Sequence, residues 1–137
     1  MTVPANTEQS DFYTPGVCNL NAPEAAYRRN VGLVMVIVSL VVFISLLVLR
    51  APFYFGLIML LPTWLAAISF LQARENFCVT YAAAGKYNAS EKYADVHIVD
   101  NPEDHQKDKT KASSLNQRAM LIGAAGAVIS TTILAIV

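Results

Sequence analysis

The run VGLVMVIVSLVVFISLLVL, from Val31 to Leu49, decides the fold. It carries no charge and is bounded by Arg28 and Arg29 on one side and Arg50 on the other. A helix rises about 1.5 Å per residue, so a run of this length crosses a hydrocarbon core of roughly 30 Å. A shorter Val-, Ile- and Leu-rich run in water reads as a buried strand, but this one is too long for that. It predicts a transmembrane helix. The thirty residues before it include Glu8, Asp11 and Glu24 in place of a short basic start, so it does not read as a cleaved signal peptide.

Two more uncharged stretches lie further along. Pro52 to Leu71 is closed by Arg74 and Glu75, and Ala119 to Val137 follows Arg118. The expected fold is an all-α membrane protein with three transmembrane helices. Spans 31–49 and 52–71 form a tight hairpin, joined only by Arg50 and Ala51, and a long C-terminal helix carries the third span, 119–137. The chain then divides into a polar tail (1–21), the hairpin with its extensions (22–84), a polar loop (85–101) and a charged helix leading into the last span (102–137). The C-terminal apolar run does not suggest a GPI signal, because no secretory signal accompanies it.

Composition fits this reading once it is divided among the parts. The 137 residues are 55% hydrophobic and 15% charged, with a mean hydropathy of +0.42. That excludes a disordered chain. Ten basic residues balance ten acidic ones, which argues against a general nucleic-acid binder. Two cysteines are too few for a disulfide scaffold. A hairpin places the N-terminal tail and residues 72–118 on one side. Arg28, Arg29, Arg74, Lys86, Lys92, Lys107, Lys109, Lys111 and Arg118 are all there, against Arg50 alone on the other. By the positive-inside rule that side is cytoplasmic and the C-terminus is outside. Phe53, Tyr54 and Phe55 suit an aromatic belt at the outer end of span two. The sequon Asn88-Ala89-Ser90 then faces the cytoplasm and reads as chance.

Local signals set the helix ends. Asn21-Ala22-Pro23-Glu24 and Asn101-Pro102-Glu103-Asp104 both read as helix starts, with a capping Asn, a proline that needs no amide partner and acids at the positive helix end. Nothing from Gln72 to Ala84 breaks a helix, so helix two is expected to run on to Gly85, which suits a left-handed C-terminal position. The third helix is expected to run unbroken from Pro102. Asp95 to Val99 alternates enough for a short extended piece. Residues 1–17 read as a loose tail in which Phe12 and Tyr13 could dock. With the turn at Arg50-Ala51, facing residues sum to about 101. Arg28 and Arg29 then face Glu75, a surface pair worth under about 1 kcal/mol. Pro62 falls opposite Ser39 and is expected to kink helix two, freeing the Ile58 carbonyl for Ser39 or Thr63.

The same arithmetic puts Cys78 near the start of helix one, close to Cys18. Three readings stand: two small buried apolar side chains, a redox-active or metal-binding pair, or a fixed disulfide, which the cytoplasm disfavours. His97 and His105 are spare ligands, but the spacing fits no zinc template, and each also reads as an ordinary loop or helix residue. No ionisable residue lies within a span, as intramembrane proton or ion pathways need. No HExxH, P-loop or Ser-His-acid pattern is present, so no enzyme and no cofactor are expected. Ala119, Gly123, Ala127 and Thr131 recur every four residues, a small-residue face for helix packing, either on the chain's own hairpin or on another subunit. Trp64 falls mid-span, and its indole N–H needs a partner. Lys107 to Lys111 reads as a solvated helix face.

Cys18-Asn19-Leu20-Asn21, then Glu24 and Arg28-Arg29, resembles the start of a family of small uncharacterised bacterial membrane proteins. In that family a Cys-Asn-Ile-Gly-like motif precedes a membrane hairpin. Leu71-Gln72-Ala73-Arg74, Phe77-Cys78, Gly85 and Asn88 resemble the segment after it. The resemblance covers roughly residues 17–118, and Asn21 stands where the family has glycine. It implies a multi-pass protein of the bacterial cytoplasmic membrane and includes both cysteines, but implies no activity. The expected role is a structural or accessory subunit whose partners are the lipid bilayer, other membrane-protein subunits or further copies of itself. The alternative is a membrane-anchored thiol redox or metal-site protein using Cys18 and Cys78.

Overall fold

The computed structural model describes residues 13–88, 90 and 92–137. Glu8, Asp11, Phe12 and Ala89 fall outside them. Helix α1 (Ala22–Val48) starts as its sequence signal says: the Asn21 side chain accepts from the Glu24 amide at 3.0 Å, and Pro23 sits in the first turn. The Arg50-Ala51 turn also holds, with Arg50 in the left-handed region at φ 48°.

Helix two differs from expectation at both ends. It begins as a 3₁₀ helix (Phe53–Met59) and becomes α-helical only from Leu60, as α2 (Leu60–Glu75). Pro62 therefore lies in the first turn of α2 and does not kink its middle. The ring of a proline clashes with the carbonyl four residues back, and its nitrogen cannot donate, so an α-helix is best begun just before it. Thr63 Oγ1 donates to the Met59 carbonyl, while Ser39 donates to Met35 within its own helix at 2.8 Å. Neither hydroxyl serves Ile58.

At the other end α2 stops at Asn76, which turns left-handed at φ 49°. Asparagine tolerates that region better than most residues. The turn aims the Asn76 carbonyl at the amides of Asn19 (3.1 Å) and Leu20 (3.0 Å) and tucks Phe77 and Cys78 fully inside. A separate short helix, α3 (Val79–Ala84), follows, with Gly85 left-handed after it as expected. The expected continuous helix to Ala84 is thus two helices.

The loop 85–101 holds an antiparallel hairpin, β1 (Lys86–Asn88) with β2 (Val96–Ile98), Tyr87 facing His97. The extended piece foreseen near 95–99 is β2. Helix α4 (Pro102–Ile136) is unbroken for 35 residues, about 52 Å at the usual rise, and is capped by Asn101 on the Glu103 amide.

Helix α2 is central: α1 packs on one flank and α4 on the other, and α1 barely meets α4. The best-buried core, with Ile68, Phe77, Ala82, Leu115 and Ala119, lies where α2, α3 and α4 meet. Away from it the apolar side chains face outward, with Leu33, Ile37, Val41 and Ile44 each more than half exposed. The protein is mostly helical, and three of its helical stretches, Ala22–Val48, Phe53–Glu75 and Pro102–Ile136, are long and apolar enough to cross a membrane.

Candidate functional site

The polar ends of the helices form a cap, and its centre is Cys78. The chain turns tightly before it, with the amides of Thr14 and Cys18 each bonded to the other's carbonyl at 3.0 Å and Gly16 left-handed at φ 70°. Asn19 follows, fully buried. Its side chain grips the Cys78 backbone on both sides of its Cα: Nδ2 donates to the Cys78 carbonyl (3.1 Å), and Oδ1 accepts from the Cys78 amide (2.6 Å). Its backbone carbonyl accepts from Asn88 (3.0 Å), so one residue ties the first segment to both α3 and β1. Asn21 adds bonds to the carbonyls of Ser90 (2.9 Å) and Lys92 (2.8 Å) besides capping α1. A glycine at position 21 would supply none of these side-chain bonds.

Around Cys78 stands a second set of groups. Arg28 donates from Nη2 to the Cys78 sulfur at 3.2 Å. Glu24, on the same helix, accepts at Oε1 from the Tyr81 hydroxyl (2.8 Å) and from the Ala94 amide (3.2 Å). Its Oε2 is buried without a hydrogen-bond partner among the described residues. Burial first, then the adjacent Glu24 carboxylate, raises the pKa of the Tyr81 hydroxyl above its ordinary value.

The structure thus brings the segments of Cys18 and Cys78 side by side, as the hairpin arithmetic foresaw. Cys78 is fully buried, Cys18 is half-buried, and no disulfide joins them. The histidines stand elsewhere. His105 bonds the Ala82 carbonyl at 3.1 Å, and His97 lies at the surface, 3.3 Å from Asp95. Among the described residues no three His, Cys, Asp or Glu side chains are placed to hold a metal ion.

The expected pairing of Arg28 and Arg29 with Glu75 does not form. Glu75 is taken by Lys111 and Arg118 of α4. Burial opposes its charge, but hydrogen bonds from these two cations outweigh that and hold its carboxyl below the ordinary glutamate range. Because α4 lies across the end of α2, it supplies these cations on the side away from α1.

The charged run of α4 is likewise not a purely solvated face. Asp108 is fully buried, accepting from the Tyr13 hydroxyl (2.9 Å) and the Gly16 amide (2.7 Å). Tyr13 also stacks on Tyr87, ring centroids 4.2 Å apart. Residues 13–17 are therefore docked on α4 rather than forming a loose tail. Burial, followed by the bond to Asp108, raises the pKa of Tyr13 above its ordinary value. A signal for Asp108 was present: it shares one helical stripe with Ala112, Leu115, Ala119, Gly123 and Ala127, all buried.

That stripe rests on the chain's own hairpin, the first of the two readings given for it. A Cβ added at Gly123 would sit 2.8 Å from Trp64 Cβ, and one at Gly56 would sit 2.5 Å from the backbone of Thr131. Small residues on both sides let the 3₁₀ helix and α2 lie close against α4. Trp64 finds its partner across this contact, donating to Asn116 at 3.2 Å. Asn88, the would-be sugar acceptor, is fully buried.

Chemically, the cap is a clamp. Its buried polar groups are spent holding four chain segments together, with one thiol beside a guanidinium at the centre. Comparison with known family models, curated proteins and solved structures found no match for this chain.

Proposed function

We propose that this chain is a small integral membrane protein that works as a structural or accessory subunit and has no catalytic activity of its own. One observation carries the reading. Helix α1 packs mainly on α2 and turns a whole apolar side, including Val34, Ile37, Val41 and Ile44, away from the rest of the chain. In water such a surface would be an aggregation hazard. In a bilayer it is a lipid-facing or subunit-facing side. The charge distribution supports a multi-pass protein of the bacterial cytoplasmic membrane, cap inside and C-terminus outside. The test is extraction in mild detergent followed by native electrophoresis and identification of co-purifying proteins. Migration with further subunits or copies is expected, and a lone monomer would count against the proposal.

A second reading has one specific contact behind it, that of Arg28 with the Cys78 sulfur. It sets a charged donor directly against one of the chain's two cysteine sulfurs, at the centre of the cap. On this reading Cys18 and Cys78 form a redox or metal-binding pair. Alkylation of intact and oxidised cells, with metal analysis of the purified protein, decides it. If Cys18→Ser with Cys78→Ser leaves metal content and phenotype unchanged, the idea fails.

A further inference from the structure

Two clefts lie end to end between α1 and α2. The one nearer the cap, about 570 Å³, is lined by Arg29 from α1 and by Ala73 and Arg74 from α2. The one deeper in the apolar half, about 430 Å³, is lined by Val36, Ser39 and Leu40 from α1 and by Ala66 and Ala67 from α2. Phe70 borders both. Its ring lies against Gly32, where an added Cβ would meet it at 3.1 Å, so it bridges α1 and α2 between the two clefts and an occupant of both crosses its outer face. The helix periodicity is consistent. Arg29, Val36 and Leu40 follow one stripe of α1, and Arg74, Phe70 and Ala67 follow one stripe of α2.

The charge at the mouth is uncompensated. Arg29 and Arg74 are exposed and make no ion pair or hydrogen bond among the described residues. No acid lines the cleft they border, and the adjacent Glu75 is already held by Lys111 and Arg118. The distances suit one leaflet. From Arg29 to Val36 and Leu40 the helix rises about 10–16 Å, close to half of a hydrocarbon core of roughly 30 Å.

We infer that this composite groove binds one anionic phospholipid, its phosphate between Arg29 and Arg74 and one acyl chain along Phe70 toward Leu40. Paired guanidiniums recognise phosphate by charge-assisted hydrogen bonds, and the deeper lining is almost wholly apolar, as an acyl chain requires. A partner helix seated there would have to bury two arginines to which this chain offers no acid. The inference rests on the proposed membrane location.

The test uses the full chain. Membranes are first washed with alkaline carbonate. The protein is then purified in mild detergent and titrated with phosphatidylglycerol and phosphatidylethanolamine under native mass spectrometry. One phosphatidylglycerol is expected to be retained about tenfold or more in preference to phosphatidylethanolamine. Arg29→Gln with Arg74→Gln should abolish the preference, and Arg29→Lys with Arg74→Lys should keep much of it. Lys86→Gln with Lys109→Gln removes the same charge elsewhere and should leave it intact. Equal retention of both lipids by the native chain would overturn the site. So would a preference that survives the glutamine pair or falls equally with the Lys86 and Lys109 pair. A co-purifying protein lost with the glutamine pair would assign the groove to a partner helix instead. Release by carbonate would sink the membrane reading itself, whereas retention in the membrane without lipid preference would sink only the lipid site.

Discussion

Asn19 shows how much one side chain can hold. It accepts from the buried Cys78 amide and donates to the Cys78 carbonyl, which the Ala82 amide of α3 also bonds. Asn19→Ala strands the Cys78 amide inside the cap, while its carbonyl keeps the bond from Ala82, and is expected to cost about 1–3 kcal/mol, read as a lower unfolding midpoint in detergent. Asn19→Asp keeps the acceptor but sets a second oxygen against the Cys78 carbonyl and buries a charge, so it should lose at least as much. The tyrosines give a pH signature. Folding raises the pKa of both Tyr13 and Tyr81 from an ordinary value of 10.0. Their contribution is therefore complete below that value and declines as pH rises toward the folded pKa values. The unfolding midpoint is expected to fall between pH 9.5 and about pH 11, and Tyr13→Phe with Tyr81→Phe should flatten that fall from a lower starting point. At this scale the sequence was only partly legible. The capping roles of Asn21 and Asn101 follow from local chemistry. The buried roles of Asn19, Glu24 and Asp108 depend on segments far away in the chain, which no local pattern reports.

Among the elements, the long helices and the turn between α1 and the 3₁₀ helix were readable because an apolar run bounded by charge leaves few alternatives. The break at Asn76 was not. Nothing in residues 72–84 forbids a helix; the break comes from Asn19 and Leu20 taking the Asn76 carbonyl. Strand β1 was missed for the same reason, since Lys86-Tyr87-Asn88 is a strand only because β2 lies beside it. The contact of α4 with the hairpin is tightest where backbones meet. Gly56→Ala would press on the Thr131 backbone, which cannot move aside, whereas Gly126→Ala meets mainly the Thr63 side chain. Gly56→Ala is expected to lower stability by about 1–3 kcal/mol and Gly126→Ala by distinctly less, measured as unfolding midpoints in the same detergent.

For the molecule as a whole, the one-sided placement of charge makes topology the natural test. Reporters active only outside the cytoplasm, fused at Arg50 and at Val137, are expected to be active at both sites. Fusions within the cap, near Asp100, should be silent. Activity near Asp100 and silence at Arg50 would invert the proposed orientation. The division into an apolar half and a polar cap was legible in the sequence from hydropathy alone. The cap's internal order was not, because it depends on pairings across the full length of the chain.

The bond from Tyr13 to Asp108 joins residues 95 positions apart. During synthesis the first segment therefore waits until α4 has emerged before it can dock, while the α1–α2 hairpin can close much earlier. The cap is a latch that shuts last, and a ribosome that stalls before Asp108 leaves a chain whose hairpin is formed but whose Tyr13, Gly16 and Tyr87 face water.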